Sequence, residues 1–252
     1  MKKLHIYLLF ILFVSISSYS QRVNFGFRYG NNIGSPIPYG HIPEGAKSNL
    51  IVGYNAGIFI NYKINDNFGL RFWVSNSKKA VEFETKLVNQ YYEEVQEIDL
   101  GTIVITDTIR TIFNGTAQGK FDNIYWEFPL MFSYHFSDNA YVLVGPYVAY
   151  LMNSHTYAKV VDGYYGNPDN PTKVEGEYQL DYKDKMNKWD YGLNLGLEYD
   201  TGCRFIFDAV VAAGFNSVFV KEYKTIDYEV PNFYLEISAS YILNYKENKK
   251  IN

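Results

Sequence analysis

This sequence lacks the means for several kinds of protein. It has one cysteine, Cys203, in 252 residues, so no internal disulfide can form and the fold is held without staples. Beyond the first twenty residues no apolar run approaches the roughly 20 residues that a membrane-crossing helix needs. Basic excess is missing too: 23 Lys and Arg against 27 Asp and Glu leave a formal net charge of −4, which argues against nucleic acid as a partner. Histidine is scarce, and His41, His135 and His155 lie on separate segments with no metal-ligand spacing around them. Phosphate-binding glycine loops, nucleophile elbows and zinc-binding helix motifs are absent. Neither metal nor cofactor is expected, and the chain reads as non-enzymatic.

What is present begins with an export leader. "MKKLHIYLLFILFVSISSYSQ" places Lys2 and Lys3 before an apolar run from Leu4 to Val14, then small residues including Ser18 and Ser20. That order is a secretory signal peptide over 1–20 with Gln21 as the first mature residue. Its apolar core is too short to span as a helix. No cysteine stands near the cleavage point to carry a lipid anchor. Cleavage leaves 21 basic and 27 acidic residues, a net charge of −6. The remaining chain divides into a domain over 21–246 and a short polar tail over 247–252.

Within that domain the dominant pattern has period two. From Tyr191, alternate positions read Tyr191, Leu193, Leu195, Leu197 and Tyr199, against Asp190, Gly192, Asn194, Gly196 and Glu198. After "DTGC" the alternation resumes with Phe205, Phe207, Ala209, Val211 and Ala213 on one side. Period two is a strand, and two such runs across a short turn are a hairpin. A soluble sandwich would bury the apolar face, whereas an outer-membrane barrel turns it to lipid and keeps its polar face in the lumen. The export signal, the absence of a later membrane helix and 18% aromatic content with 25 Tyr favour the barrel.

Eight alternating runs are expected near 22–30, 50–63, 66–87, 121–136, 139–157, 178–200, 203–217 and 230–245. Their connections alternate in length. Residues 64–67, 137–139 and 200–203 are tight turns, whereas 31–49, 88–120, 158–177 and 218–229 are long. Short periplasmic turns, long outer loops and an even strand count put both mature termini in the periplasm. The fold class is therefore all-β, an antiparallel up-and-down transmembrane barrel of eight strands in the outer membrane of a Gram-negative cell. Ten strands is the alternative, if 88–120 with its alternating "TIVITDTIRTIF" adds two.

Apolar sets such as Val23, Phe25, Phe27 and Tyr29, or Phe68, Leu70, Phe72 and Val74, are assigned to lipid; strand 139–157 is apolar on both sides, which leaves its facing open. The opposite faces hold Arg28, Arg71, Glu127, Asp190, Glu198, Arg204, Asp208 and Glu236. An eight-stranded barrel is just wide enough to be filled by side chains, so these charges must be paired or hydrated. They form an expected polar lumen network, braced by Arg71 with Glu127 and by Arg28 with Glu236.

"IYWEFPLMFSYHFSDNAYVLVGPYVAYLM" at 124–152, with "YGLNLGLEY", "FIFDAVVAAGF" and "FYLEISASYIL", resembles the PorT-like outer-membrane β-barrel family. The residues that carry the resemblance are Glu127, Pro129 and Leu130 of an E-x-P-L motif and Gly145, Pro146 and Tyr147 of a G-P-Y motif. It covers about 121–245 well and 22–75 by pattern alone. Membership implies a barrel linked to envelope assembly or protein secretion, with outer-membrane lipid and other envelope or secretion proteins as partners. Pro129 and Pro146 remove ladder donors inside a closed sheet, so a local bulge or bridging water is expected where they meet.

Two other functions are weighed against this one. A small pore or a loop-based binder of ligand or glycan would use the Tyr-rich loop 158–177, with Tyr164 and Tyr165, or the acidic loop 88–120. A lipid-modifying enzyme would use the His-x-Ser pair of His135 and Ser137, but that pair abuts a tight turn on the periplasmic side. Asp107-Thr108-Ile109 fits a short O-glycosylation pattern found with barrels of this family, which makes Thr108 a modification candidate.

Overall fold

The computed structural model describes residues 22–40, 45–99, 104–166, 171–174, 178–223, 226 and 228–245, with the backbone alone for 90–99, 104–111 and 178. Residues 1–20, expected to be a signal peptide, and 247–252, expected to be a polar tail, lie outside the described residues.

Where side chains alternate, the chain pleats. Among the described residues twelve strands form in the order β1 (Val23–Pro36), β2 (Lys47–Ile51), β3 (Gly53–Lys63), β4 (Phe68–Asp99), β5 (Val104–His135), β6 (Ala140–Ser154), β7 (Tyr157–Tyr165), β8 (Thr172–Lys173), β9 (Tyr178–Asp181), β10 (Trp189–Asp200), β11 (Phe205–Ser217) and β12 (Pro231–Ile242). Eight of them pair antiparallel in a closed ring: β1 with β3, then β4, β5, β6, β10, β11, β12, and β12 back to β1. This is an eight-stranded barrel, and closure leaves its wall without an edge.

Segment 88–120 adds no strands to that ring. β4 and β5 stay paired from Phe68–Tyr134 out to Asp99–Val104, so the segment is the far end of one long hairpin. A bulge between Leu87 and Gln90 kinks it, with Asn89 in the left-handed region at φ 53° and its N–H donating to Asn114 Oδ1 at 2.7 Å. β2 joins the β4 side of this extension, β7 joins β5, and β8 and β9 pair with β7. Much of the expected long connections is thus sheet built outward from the barrel rim. Thr108 lies on the backbone of β5 in this hairpin.

The three short turns share one end, two closed by their own polar side chains and one by backbone bonds. Asn65 Oδ1 accepts from the N–H groups of Asn67 and Phe68, both at 2.9 Å. Asp200 Oδ1 accepts from Gly202 N–H at 2.9 Å, with Gly202 at φ 71°, where a side chain is disfavoured. Phe136 N–H and Ala140 N–H bond across the third. Arg22, whose carbonyl accepts from Lys63 N–H, and Tyr245, whose hydroxyl donates to Gly202 O, lie at this same end.

The facing is inverted relative to a soluble sheet. Leu195 is 60% exposed and Phe27 57%, whereas Arg28 and Arg71 are 2% and 1% exposed. Aromatic girdles border the outer apolar band. Trp126, Tyr150 and Trp189 are successive cross-strand partners on the loop side, with the last two rings 4.9 Å apart. Phe68 with Tyr134 and Phe205 with Tyr241 mark the turn side. Such girdles suit the two bilayer interfaces. β6 joins the same scheme, with Val144, Val148 and Tyr150 outward and Leu143, Tyr147 and Ala149 buried.

Candidate functional site

Inward parity delivers charge at two heights. On β1 it places Arg28 inside, on β4 Arg71, Trp73, Ser75, Ser77 and Lys79, on β11 Asp208, and on β12 Glu236, Ser238 and Ser240. The layer nearer the short turns is built on two arginines. Arg28 bonds Asp208 at 2.7 Å and Glu236 at 3.3 Å, while Arg71 is ion-paired with Glu198 and lies 3.4 Å from Asp208. Asn55 donates to Glu236 at 2.8 Å and accepts from Arg28 at 2.7 Å, and Arg71 donates to Ser240 Oγ at 2.8 Å. Aromatic faces complete the sites: the Arg28 guanidinium is 4.6 Å from the Trp73 ring centroid and that of Arg71 is 5.0 Å from Phe59. Phe59 and Trp73 with Met131, Leu143 and Ile206 fill the barrel at this level and towards the turns.

Nearer the loops, one ammonium organises the second layer. Lys79 Nζ is 2.6 Å from Glu127 and 3.6 Å from Asp190, and it lies 5.4 Å from the ring centroids of Tyr125, Tyr147 and Tyr234. Asp190 also accepts from Asn232 Nδ2 at 2.8 Å and from the Tyr147 hydroxyl at 3.1 Å. Among the described residues the buried charges are three cations and five carboxylates. The carboxylate excess is met by neutral donors, Asn55 in one layer and Asn232 with Tyr147 in the other.

Above Lys79 the interior becomes apolar. Val81, Phe121, Tyr125, Phe219 and Val230 belong to one buried cluster that closes the barrel beneath the loops. Phe121 packs on Phe83 at 5.2 Å and on Phe219 at 5.8 Å, and Tyr182 and Tyr223 pack on Phe219 at 5.7 and 5.6 Å. Over this floor a cavity of about 150 Å³ opens between the end of β1 and strand β2. The barrel therefore holds two sealed charged layers, an apolar plug and a small cup facing the long connections.

Seven of the eight expected network residues sit inside: Arg28, Arg71, Glu127, Asp190, Glu198, Asp208 and Glu236 are all buried. Arg204 does not. Its parity is inward, but it lies at the turn where the wall ends, exposed, with its guanidinium 3.4 Å from the carbonyls of Ile242 and Leu243 and over the rings of Tyr241 and Tyr245. Arg28 meets Glu236, whereas Arg71 does not meet Glu127. The residue opposite Glu127 on β4 is Ser75, four positions beyond Arg71, a separation of about 13 Å along the strand. Counting height from each turn ignores the stagger that tilted barrel strands must have. Glu127 pairs instead with Lys79, which the sequence reading omitted although Arg71-x-Trp73-x-Ser75-x-Ser77-x-Lys79 keeps inward parity throughout.

The motif residues meet across one seam. Pro129 faces Tyr147, whose hydroxyl reaches Asp190, while Leu130 and Pro146 point outward. The β4 ladder pauses between Phe72–Leu130 and Ser75–Glu127, and the β6 ladder between Pro129–Tyr147 and Phe132–Val144, with register unchanged across both gaps. The expected bulge at the prolines is therefore not there, because losing a donor removes a bond without adding a residue. The β5–β6 bulge falls between Ile124 and Tyr125. Gly145 has its own reason: a Cβ there would lie 2.0 Å from Leu130 O. His135, at the short-turn end, stacks edge-on to Tyr141 with ring centroids 3.8 Å apart, and Ser137 is an exposed turn residue.

Comparison with a family model supports the architecture. Residues 17–220 match the model of a family described as "Outer membrane protein beta-barrel domain". No curated protein matches the chain. Among solved structures it is similar to Ail, the attachment invasion locus protein of Yersinia pestis, in complex with the heparin analogue sucrose octasulfate, at 10% identity over 88% of this chain and 99% of that one, with a TM-score of 0.40. It is also similar to the outer membrane protein OprG from Pseudomonas aeruginosa, at 10% identity over 87% and 91% of the two chains, with a TM-score of 0.32. At that overlap no inference about ligand or role passes from these proteins to this chain.

Proposed function

The chain belongs to the outer membrane protein beta-barrel domain family, and from that premise we propose a closed, non-conducting barrel that works by binding on the side of its long connections. The observation that carries this reading is the blocked lumen: two ion-paired layers and an apolar plug fill it in series. A solute entering it must break buried ion pairs, each break leaving an uncompensated charge that costs about 3–5 kcal/mol. In this reading residues 1–20 are a removed export signal, the mature chain starts at Gln21, and Arg22 and Tyr245 face the periplasm. No catalysis is assigned, because His135 and Ser137 sit at the short-turn end beside Tyr141 instead of in a cleft. Purified barrel in planar bilayers should give no discrete conductance steps; regular openings at low voltage would overturn the proposal.

The second reading is a PorT-like role in envelope assembly or secretion, supported by the resemblance of Glu127, Pro129, Leu130, Gly145, Pro146 and Tyr147. Its partners would be outer-membrane lipid and other envelope or secretion proteins. Affinity purification from gently solubilised native membranes, with a tag in the β4–β5 hairpin, tests it. A stoichiometric set of secretion components supports this role, and recovery of the barrel alone removes it.

A further inference from the structure

We propose that the cup above the plug binds one small uncharged molecule built on a single aromatic or alicyclic ring. This rests on the reading of a closed barrel that binds on its loop side, and it names the ligand class.

Size comes first. The cavity is about 150 Å³, and an apolar protein cavity of that volume stays dry and takes up benzene. A single ring matches that volume.

Wall chemistry comes second. Phe83, Phe121 and Phe219 supply aromatic surface, Pro36 and Val230 aliphatic surface, and the small side chains of Ala117 and Ala158 leave the space open. Ala117 and Ala158 are 6% and 2% exposed, so both point inward. Aromatic edges and faces select another ring.

Charge comes third. Among the described lining residues two are charged, Lys47 and Glu84; they pair with each other at 3.1 Å, and Glu84 accepts a second bond from Gln118 Nε2 at 2.8 Å. Their charges cancel at the rim, so an anionic or cationic guest gains no counter-ion and loses its hydration. Access runs past Lys47 and Ser48, both exposed on β2. Below, Phe121 and Phe219 separate the cup from Lys79, so the site is a dead end that holds its ligand and does not pass it on.

The test uses the full mature barrel in lipid nanodiscs, with benzyl alcohol as probe and benzoate as its charged counterpart, followed by saturation-transfer NMR. Saturable binding of benzyl alcohol, with benzoate at least tenfold weaker, is expected. Ala158→Phe fills the cup from β7 and Ala117→Leu fills it from β5. Each should weaken benzyl alcohol at least tenfold while the folded barrel keeps its heat-modifiable gel mobility. Phe219→Ala should bind 2-naphthol more tightly than the unchanged barrel does. Equal signals from wild type and both filled variants mean partition into lipid and overturn the proposal, as does benzoate binding as tightly as benzyl alcohol. Conductance of the same preparation separates the two claims: a closed barrel that binds no probe sinks the ligand assignment alone, and a conducting barrel that binds none sinks both.

Discussion

Replacing Lys79 by Met removes the charge at the centre of the upper layer while keeping a stem of similar length. In the native lumen the ammonium stands 2.6 Å from Glu127 and 3.6 Å from Asp190 and is 1% exposed. At an effective dielectric of about 20 these separations correspond to attractions of about 6 and about 5 kcal/mol. Most of that offsets the cost of taking three charges out of water. The variant keeps the burial cost of two carboxylates and loses their counter-ion, so a net loss of about 3–5 kcal/mol is expected. Asp190 retains donors in Asn232 and Tyr147, so Glu127 bears most of the damage. Lys79→Met combined with Glu127→Gln should therefore recover most of the loss. Urea unfolding in lipid vesicles, read by fluorescence from Trp73 in the lumen and from lipid-facing Trp126 and Trp189, measures both. A loss below about 1 kcal/mol in the single variant, or no recovery in the double, refutes the assignment of Lys79 as the keystone of this layer.

Three other perturbations probe separate parts of the molecule. Gly145→Ala puts a Cβ 2.0 Å from Leu130 O and should cost roughly 2–4 kcal/mol in the same unfolding assay. A cost near zero would show that the β5–β6 seam yields freely. Glu84, on the external hairpin, is held below the usual carboxylate range by its bonds from Gln118 and Lys47. A depressed carboxylate stabilises above its unfolded value of about 4.3 and loses that contribution as pH falls through the lower folded value. Amide protection along β2, taken relative to the intrinsic exchange rate at each pH, should therefore fall as the medium turns more acidic than about pH 4, and Glu84→Gln should abolish that acid response. The thiol of Cys203 is exposed in a short turn and lowered by its hydrogen bond with Thr201. An impermeant maleimide should miss it in intact cells and reach it once the outer membrane is permeabilised, whereas a cysteine at Lys159 should label in intact cells. The reverse pattern would invert the orientation.

The barrel was legible because period two repeats along nearly every strand and the turn residues Asn65, Asp200 and Gly202 punctuate it. The network was legible residue by residue, since parity alone decides in or out: Arg28, Glu198 and Asp208 follow from it. Parity failed at Arg204, where the wall ends, and pairing failed at Arg71, because two strands can agree in facing and still be offset by four residues. Lys79 shows what attention to parity could have found: of the adjacent Lys78 and Lys79, one must point inward, and the register from Arg71 says which.

The sequence by itself therefore determined the architecture: one apolar and one polar side on most strands, the ends of the hairpins, and most of the side chains that share an interior. These are local properties, set by a repeat of two residues and by turn chemistry. Tertiary structure alone decided the partners. The stagger of tilted strands gave Glu127 to Lys79 and Asp208 to both arginines, and folding β2 and β7 onto the β4–β5 hairpin raised a cup above the rim. Stagger and docking depend on contacts between segments far apart in the chain, and no short-range pattern carries that information.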